Sequence, residues 1–265
     1  MFFTLNSWQL AAVLAGIMFG ATILGLVVGR SLSHHVDTLR EPFGVVQASL
    51  LTLVGLVLAF GLAMSVGRYE SRRTATVDDA NAIGTAYLRA QTLHEPVRSL
   101  SLPLYPQYTD ESIHISRTVP GSPAQQRAIA SESALQRRLW HLAGQALDAQ
   151  PTQSAPRLYV ESLNEMIDMQ TTRVSALSNR VPSAILLVEV IGAATALGLL
   201  ALYLAILSRG VVTVLLAAGL LTLLLFVTFD LDRPSRGFIR IPATPLLVLR
   251  ASMELPPAAD APHSR

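Results

Sequence analysis

The chain has 265 residues, of which 51% are hydrophobic and only 14% charged, with a formal net charge of +2. A globular chain usually carries about 25% charged residues, so this composition excludes an ordinary water-soluble enzyme, and its apolar content excludes a disordered chain. There is no cysteine and all 20 basic residues are arginine, which excludes disulfides, thiolate chemistry, a phosphate-loop lysine and a lysine Schiff base.

The apolar residues gather in four runs, 8–29, 43–67, 181–207 and 211–229, and Glu189 is the only charged residue in them. At about 1.5 Å of rise per residue each run is long enough for a hydrocarbon core of about 30 Å, so each predicts a transmembrane helix. The residues before Trp8 carry no basic charge and the first run is longer than a signal-peptide core, so the first helix is expected to be retained. Small residues form ridges four apart, Gly16 with Gly20 and Gly25 with Gly29 in the first run, and Gly55, Ala59, Ala63 and Gly67 in the second. Such ridges let helix backbones approach closely in lipid, either within one chain or between copies.

Between the second and third runs lies a polar segment, 68–180. It opens without proline, so the second helix should run on past the membrane to about Leu93. A proline- and glycine-rich stretch from about Glu95 to Pro123 reads as a loop or short irregular elements. A helix over about 124–149 follows, with Leu135, Leu139, Leu142 and Ala146 on one face. The next helix, about 157–181, is strongly amphipathic: Leu163, Met166, Ile167, Gln170, Val174 and Leu177 oppose Glu161, Glu165, Asp168, Thr172, Ser175 and Asn179. Pro182 starts or kinks the third span. The region 230–265 reads as a tail with a short helix near 245–253, disordered after about 255.

Arginines set the orientation. Arg68, Arg72, Arg73, Arg173, Arg180, Arg233, Arg236, Arg240 and Arg250 flank one side, against Arg30, Arg40 and Arg209 on the other. The positive-inside rule then puts both termini, the insert and the tail in the cytoplasm. The expected fold class is therefore all-α, with four transmembrane helices and a helical cytoplasmic insert between the second and third.

No catalytic constellation emerges. His34, His35, His94, His114, His141 and His263 show no metal-ligand spacing, and no nucleophile or dinucleotide motif occurs. The expectation is no enzyme, no cofactor, no metal and no nucleic acid. Glu189, in the third span, is expected to meet Thr222 of the antiparallel fourth span or a backbone carbonyl, with a proton or ion relay as the other reading. Asp230 and Asp232 read as a turn that pairs with Arg233 or Arg236, rather than as an ion site.

Five stretches then act together. They are Arg68-Tyr-Glu-Ser-Arg-Arg, the run from Asp79 to Ala90, Leu163-Asn-Glu-Met-Ile-Asp, Asn179-Arg-Val-Pro, and Asp230-Leu-Asp-Arg-Pro-Ser-Arg-Gly-Phe-Ile-Arg. With them the chain resembles the bacterial bestrophin-like membrane family. The residues that carry the resemblance, of unassigned role, are Tyr69, Arg73, Asn81, Tyr87, Asn164, Glu165, Asp168, Asn179, Arg180, Asp230, Asp232, Arg233, Arg236 and Arg240. The resemblance implies a four-helix bacterial inner-membrane protein with a helical insert. Bestrophins themselves are pentameric anion channels whose second membrane helix lines the pore and continues into the cytoplasm. No acidic calcium cluster and no apolar neck triplet of theirs is evident here.

The first expectation is a membrane scaffold or sensor that binds a cytoplasmic protein partner through its polar helices. The alternative is an oligomeric anion channel. In that case Leu51, Val54, Leu58 and Leu62 would form a dewetting constriction, and Arg68 and Arg72 stacked rings that concentrate anions.

Overall fold

A computed structural model describes residues 6–32, 40–207 and 210–260. Arg209, His34, His35, His263 and the last residues of the tail lie outside them. Every regular element among the described residues is helical: α1 (Ser7–Leu32), α2 (Arg40–Ala90), α3 (Val97–Ser101), α4 (Leu104–Arg117), α5 (Pro123–Ala149), α6 (Ser154–Ser178), α7 (Ser183–Ile206), α8 (Val211–Leu231) and α9 (Thr244–Ser252), with a 3-10 turn at Ala258–Asp260. Four of these helices are long and apolar enough to cross a membrane. The chain divides into two compact units. The apolar unit holds Met1–Tyr69 and Arg180–Arg240, and the polar helical unit holds Glu70–Asn179 and Ile241–Arg265.

In the apolar unit Leu10, Leu14 and Met18 of α1 meet Leu186, Val190, Ala193 and Leu197 of α7, with Val54 and Leu58 of α2 and Ala218, Leu225 and Phe229 of α8. Gly25 and Gly29 set how closely α1 approaches α7. A Cβ on Gly29 would lie 2.5 Å from the Leu202 carbonyl oxygen, and one on Gly25 would meet that of Gly198. This ridge is therefore spent inside the chain.

The polar helical unit is built on Ile83, Ala86 and Ala90 of α2, Tyr105 and Tyr108 of α4, Leu139 and Ala143 of α5, and Tyr159, Leu163 and Met166 of α6. The sequence reading differs from the structure between Glu95 and Pro123, where α3 and the 14-residue α4 occupy the expected loop. Pro96 and Pro103 are the N-cap residues of these helices and Pro106 lies in the first turn of α4, where a missing N–H costs no intrahelical bond. The start of α5 is fixed chemically: the Ser122 hydroxyl accepts from the Gln125 N–H at 3.2 Å, and Gly121, at φ +81°, donates its N–H to Gln125 Oε1 at 2.7 Å. The polar face expected on α6 is exposed at Glu161, Glu165, Asp168, Thr172, Ser175 and Asn179. Arg173, read as flanking the seam, is instead fully buried.

Candidate functional site

The organising element is α2, 51 residues without a break. Within the apolar unit its two sides differ. One side, with Gln47, Val54, Leu58, Gly61 and Ser65, is buried against the rest of the unit. The other is uncovered and itself divides in two. Ala48, Ser49, Thr52, Gly55, Leu56, Ala59, Ala63 and Gly67 are exposed and fall within one arc of about 120° at 100° per residue, with the exposed Val45 and Val66 on the same arc towards the two ends of the span. Val46, Leu53, Phe60 and Met64 are also exposed and form the adjoining bulky arc. The Ser49 and Thr52 hydroxyls donate to Val45 and Ala48 carbonyls, both at 2.9 Å, so their own needs are met within the helix while their oxygens still offer acceptors. Among the described residues nothing stands within 4 Å of a Cβ built on Gly55 or Gly67. The α2 ridge is therefore left open, as are Gly16 and Gly20 of α1, whereas Gly25 and Gly29 of α1 are used.

This placement corrects the expected constriction. Val54 and Leu58 are 8% and 2% exposed and point into the chain's own core, while Leu51 and Leu62 are half-buried on its flank. The 3.6-residue period groups these four residues, but they share the packing side of the helix. The paired arginine rings are corrected at Arg72 as well. Its side chain is 1% exposed. Its Nε donates to the Ala176 carbonyl at 3.2 Å and its Nη2 to that of Asn179 at 2.6 Å, so it caps the C-terminus of α6, where a cation is favoured. Arg68 is half-buried. Arg73, the next residue after Arg72, is exposed and pairs with Glu70 at 3.5 Å.

Glu189 and Thr222 are not brought together. The Thr222 hydroxyl donates to the Ala218 carbonyl of its own helix at 2.7 Å. Glu189 is 1% exposed and lies against α2 at Gly61, where any Cβ would run into its carboxylate. Glycine at 61 is thus the space that admits the carboxyl group.

Asp230 and Asp232 work as fasteners. Asp230 accepts from the Phe238 and Ile239 N–H groups at 3.0 and 2.9 Å and from the Ser7 hydroxyl at 3.4 Å. Both oxygens of Asp232 take the Val181 N–H at 3.1 Å. Gly237 is required beside them, because a Cβ there would lie 2.8 Å from Asp230 Oδ2. These carboxylates tie the loop after α8 to the loop before α7 and to the start of α1. The same end of the unit carries Arg68, Arg180, Arg233, Arg236 and Arg240; Arg236 and Arg240 are exposed, and Arg240 Nε donates to the Gly237 carbonyl at 3.2 Å. Asp230 also acts electrostatically on the buried Arg233, and the exposed Arg236 and Arg240 make the surface of this end basic.

In the polar helical unit Tyr69's neighbour Glu70 begins the extension of α2. Tyr87 is buried edge-on to Tyr105, with ring centroids 5.6 Å apart. Asn81 and Glu165 line an open cleft of about 490 Å³ with Asp78, Thr85, Arg89 and Glu161, and Asn164 and Asp168 are exposed on α6. Sequence reasoning missed one cluster. Asp79, Glu132 and Arg173 meet in the interior, each 0% exposed. Burial pushes Asp79 up to about 6, against the lowering pull of Arg173. Burial likewise pushes Glu132 up to about 7, against Arg173 and the Ser112 hydroxyl. The signal was present: Glu132 lies on the same helical arc as Leu135 and Leu139, which is the buried face.

Comparison with known proteins fits this architecture. Three crystal structures of a bacterial bestrophin homologue from Klebsiella pneumoniae, each a point variant, share the fold. The first has a TM-score of 0.70 at 12% identity and covers 91% of this chain and 96% of that chain. The others have TM-scores of 0.66 at 13% identity, covering 89% and 94%, and 0.65 at 12% identity, covering 90% and 96%. No match was found among curated proteins. The model of the bestrophin-like domain matches residues 12–246, and the chain belongs to the bestrophin-like family.

Proposed function

We propose that the protein is an oligomeric anion channel of a bacterial inner membrane, with α2 lining the pore. The observation that carries this reading is the uncovered small-and-polar arc of α2, Ser49, Thr52, Leu56, Ala59 and Ala63. Lipid suits the bulky arc beside it; a row of small residues and hydroxyls suits close approach by further copies around a shared axis. On this arc Leu56 is the bulkiest residue near mid-span, so it replaces Val54 and Leu58 as the apolar constriction that gates by dewetting. The basic end of the apolar unit supports an anion as the permeant species, because exposed arginines at a pore mouth raise local anion concentration. Family membership supports the channel over the scaffold or sensor, for which no feature of the fold speaks. The positive-inside rule keeps both termini and the polar helices cytoplasmic. Ion passage needs no cofactor and no catalytic group, and the partners are lipid, further copies of the chain and the anion.

The test uses the absence of cysteine. In proteoliposomes, wild-type protein should release trapped chloride, and a charged thiol reagent should block the flux of Thr52→Cys while leaving wild type unaffected. Leu56→Ala should raise the flux by relieving the constriction. Correctly inserted protein without chloride flux would overturn the proposal and return the weight to a scaffold.

A further inference from the structure

One cluster inside the polar helical unit sets two carboxyls against a single guanidinium. Arg173 Nε lies 2.8 Å from Asp79 Oδ2, and its Nη2 lies 3.5 Å from Glu132 Oε1. Its Nη1 donates to the Ser112 carbonyl at 3.0 Å and the Ser116 hydroxyl at 2.9 Å. Glu132 contacts the Ser112 hydroxyl and accepts from Gln170 Nε2 at 2.9 Å. The groups that act on the two carboxyls are all accounted for: α2 brings Asp79, α4 brings Ser112 and Tyr108, α5 brings Glu132, and α6 brings Gln170 and Arg173. Arg173 is the one cation among them. One guanidinium against two carboxylates leaves one negative charge uncompensated in a site without solvent exposure. A buried carboxyl in that position is neutralised rather than left charged.

We propose that Asp79, Glu132 and Arg173 form a proton-binding site, in which the two carboxyls share one proton and Arg173 neutralises the remaining charge. The proton belongs to the pair, since both carboxyls lie against the same guanidinium and the charge on one disfavours the charge on the other. Burial raises both carboxyls, Asp79 to about 6 and Glu132 to about 7. The sign follows. The folded cluster binds the proton more tightly than the unfolded chain, so its stabilising effect is complete below the ordinary carboxylate range and is lost as pH rises through about 6 to 7. Because the cluster joins α2 to α4, α5 and α6, losing the proton weakens the docking of the α2 extension within this unit. Rising pH on the side that bathes the polar helices is therefore the stimulus that loosens α2. The site does not depend on the channel reading.

The experiment is hydrogen exchange of the full-length protein in lipid nanodiscs, read on segment 70–90 and corrected for the intrinsic pH dependence of exchange. Protection in wild type should fall roughly ten- to a hundredfold between about pH 5 and about pH 8, tenfold for each pH unit over which the folded cluster holds one more proton than the unfolded chain. Glu132→Gln, which leaves one carboxylate for one guanidinium, should abolish that fall. Should Glu132→Gln not fold, Asp79→Asn makes the same comparison. Equal pH dependence in wild type and variant, or protection that rises with pH, would overturn the proposal. Chloride flux plays no part in the readout, so a failed channel assay leaves this result intact.

Discussion

The two sides of α2 carry opposite kinds of information. On the packing side the residues are determined by neighbours: Leu58 by the core of the apolar unit, Gly61 by the Glu189 carboxyl, Arg72 by the carbonyls that end α6, and Asp79 by Arg173. On the open side none of the described residues covers Thr52, Leu56, Ala59 or Ala63. The contrast separates stability from function on one helix. Substitutions on the packing side should act through folding. Substitutions on the open side should act through assembly and conduction, with the fold unaffected.

The largest effect on the packing side is expected at Arg72. Its two charge-assisted hydrogen bonds, to Ala176 and Asn179, are each of a kind that contributes about 1.5–3 kcal/mol. Chemical unfolding of Arg72→Ala in detergent, followed by circular dichroism, should show a loss of about 3 kcal/mol. An unchanged midpoint would mean that Arg72 faces solvent or a pore, and the two-sided description of α2 would fail there.

A second effect tests the fit between Gly61 and Glu189. Gly61→Ala inserts a methyl group where the carboxyl now lies, an overpacking that costs about 1–3 kcal/mol. In a Glu189→Ala background the same change should cost little, because the obstructing group has gone. The coupling energy of this double-mutant cycle should be at least about 1 kcal/mol in favour of the double variant. Additive effects would separate the two residues and leave Glu189 facing some other surface.

The sequence made part of this legible and hid the rest for identifiable reasons. The four apolar runs are visible because hydrophobicity over some 20 residues needs no tertiary information. The faces of α6 are visible because polar and apolar residues alternate with the helical period. The faces of α2 in the apolar unit are not, since leucine and valine occur all round a membrane helix and the period cannot say which of Leu56 and Leu58 is inside. The open ridge was readable as a ridge, but Gly25 and Gly55 look alike until one is found against α7 and the other against nothing. The Asp79–Glu132–Arg173 cluster joins residues far apart in the chain, so no local spacing announces it. Asp230 and Asp232 were noticed, but their partners, the N–H groups of Phe238, Ile239 and Val181, are invisible in a one-letter code.

The smallest expected effect is at Arg73, and it is the sharpest contrast because Arg72 stands beside it. A turn of 100° per residue moves the side chain from the cap of α6 to the exposed side of the helix. There Arg73 pairs with Glu70 one turn back, at 3.5 Å, with both side chains more than half exposed. Such a pair contributes about 0–1 kcal/mol, since water and salt screen it and two long side chains must be ordered to make it. Arg73→Ala should therefore shift the unfolding midpoint negligibly in the same detergent titration that reveals Arg72→Ala, with a difference within about 0.5 kcal/mol of wild type. On the proposed channel reading its effect is on conduction. Removing the cation leaves Glu70 uncompensated on the open side, so chloride efflux should fall modestly, and the fall should shrink as added salt screens the carboxylate. A large stability loss at Arg73 would place that residue, and the arc it belongs to, against protein instead of an open passage.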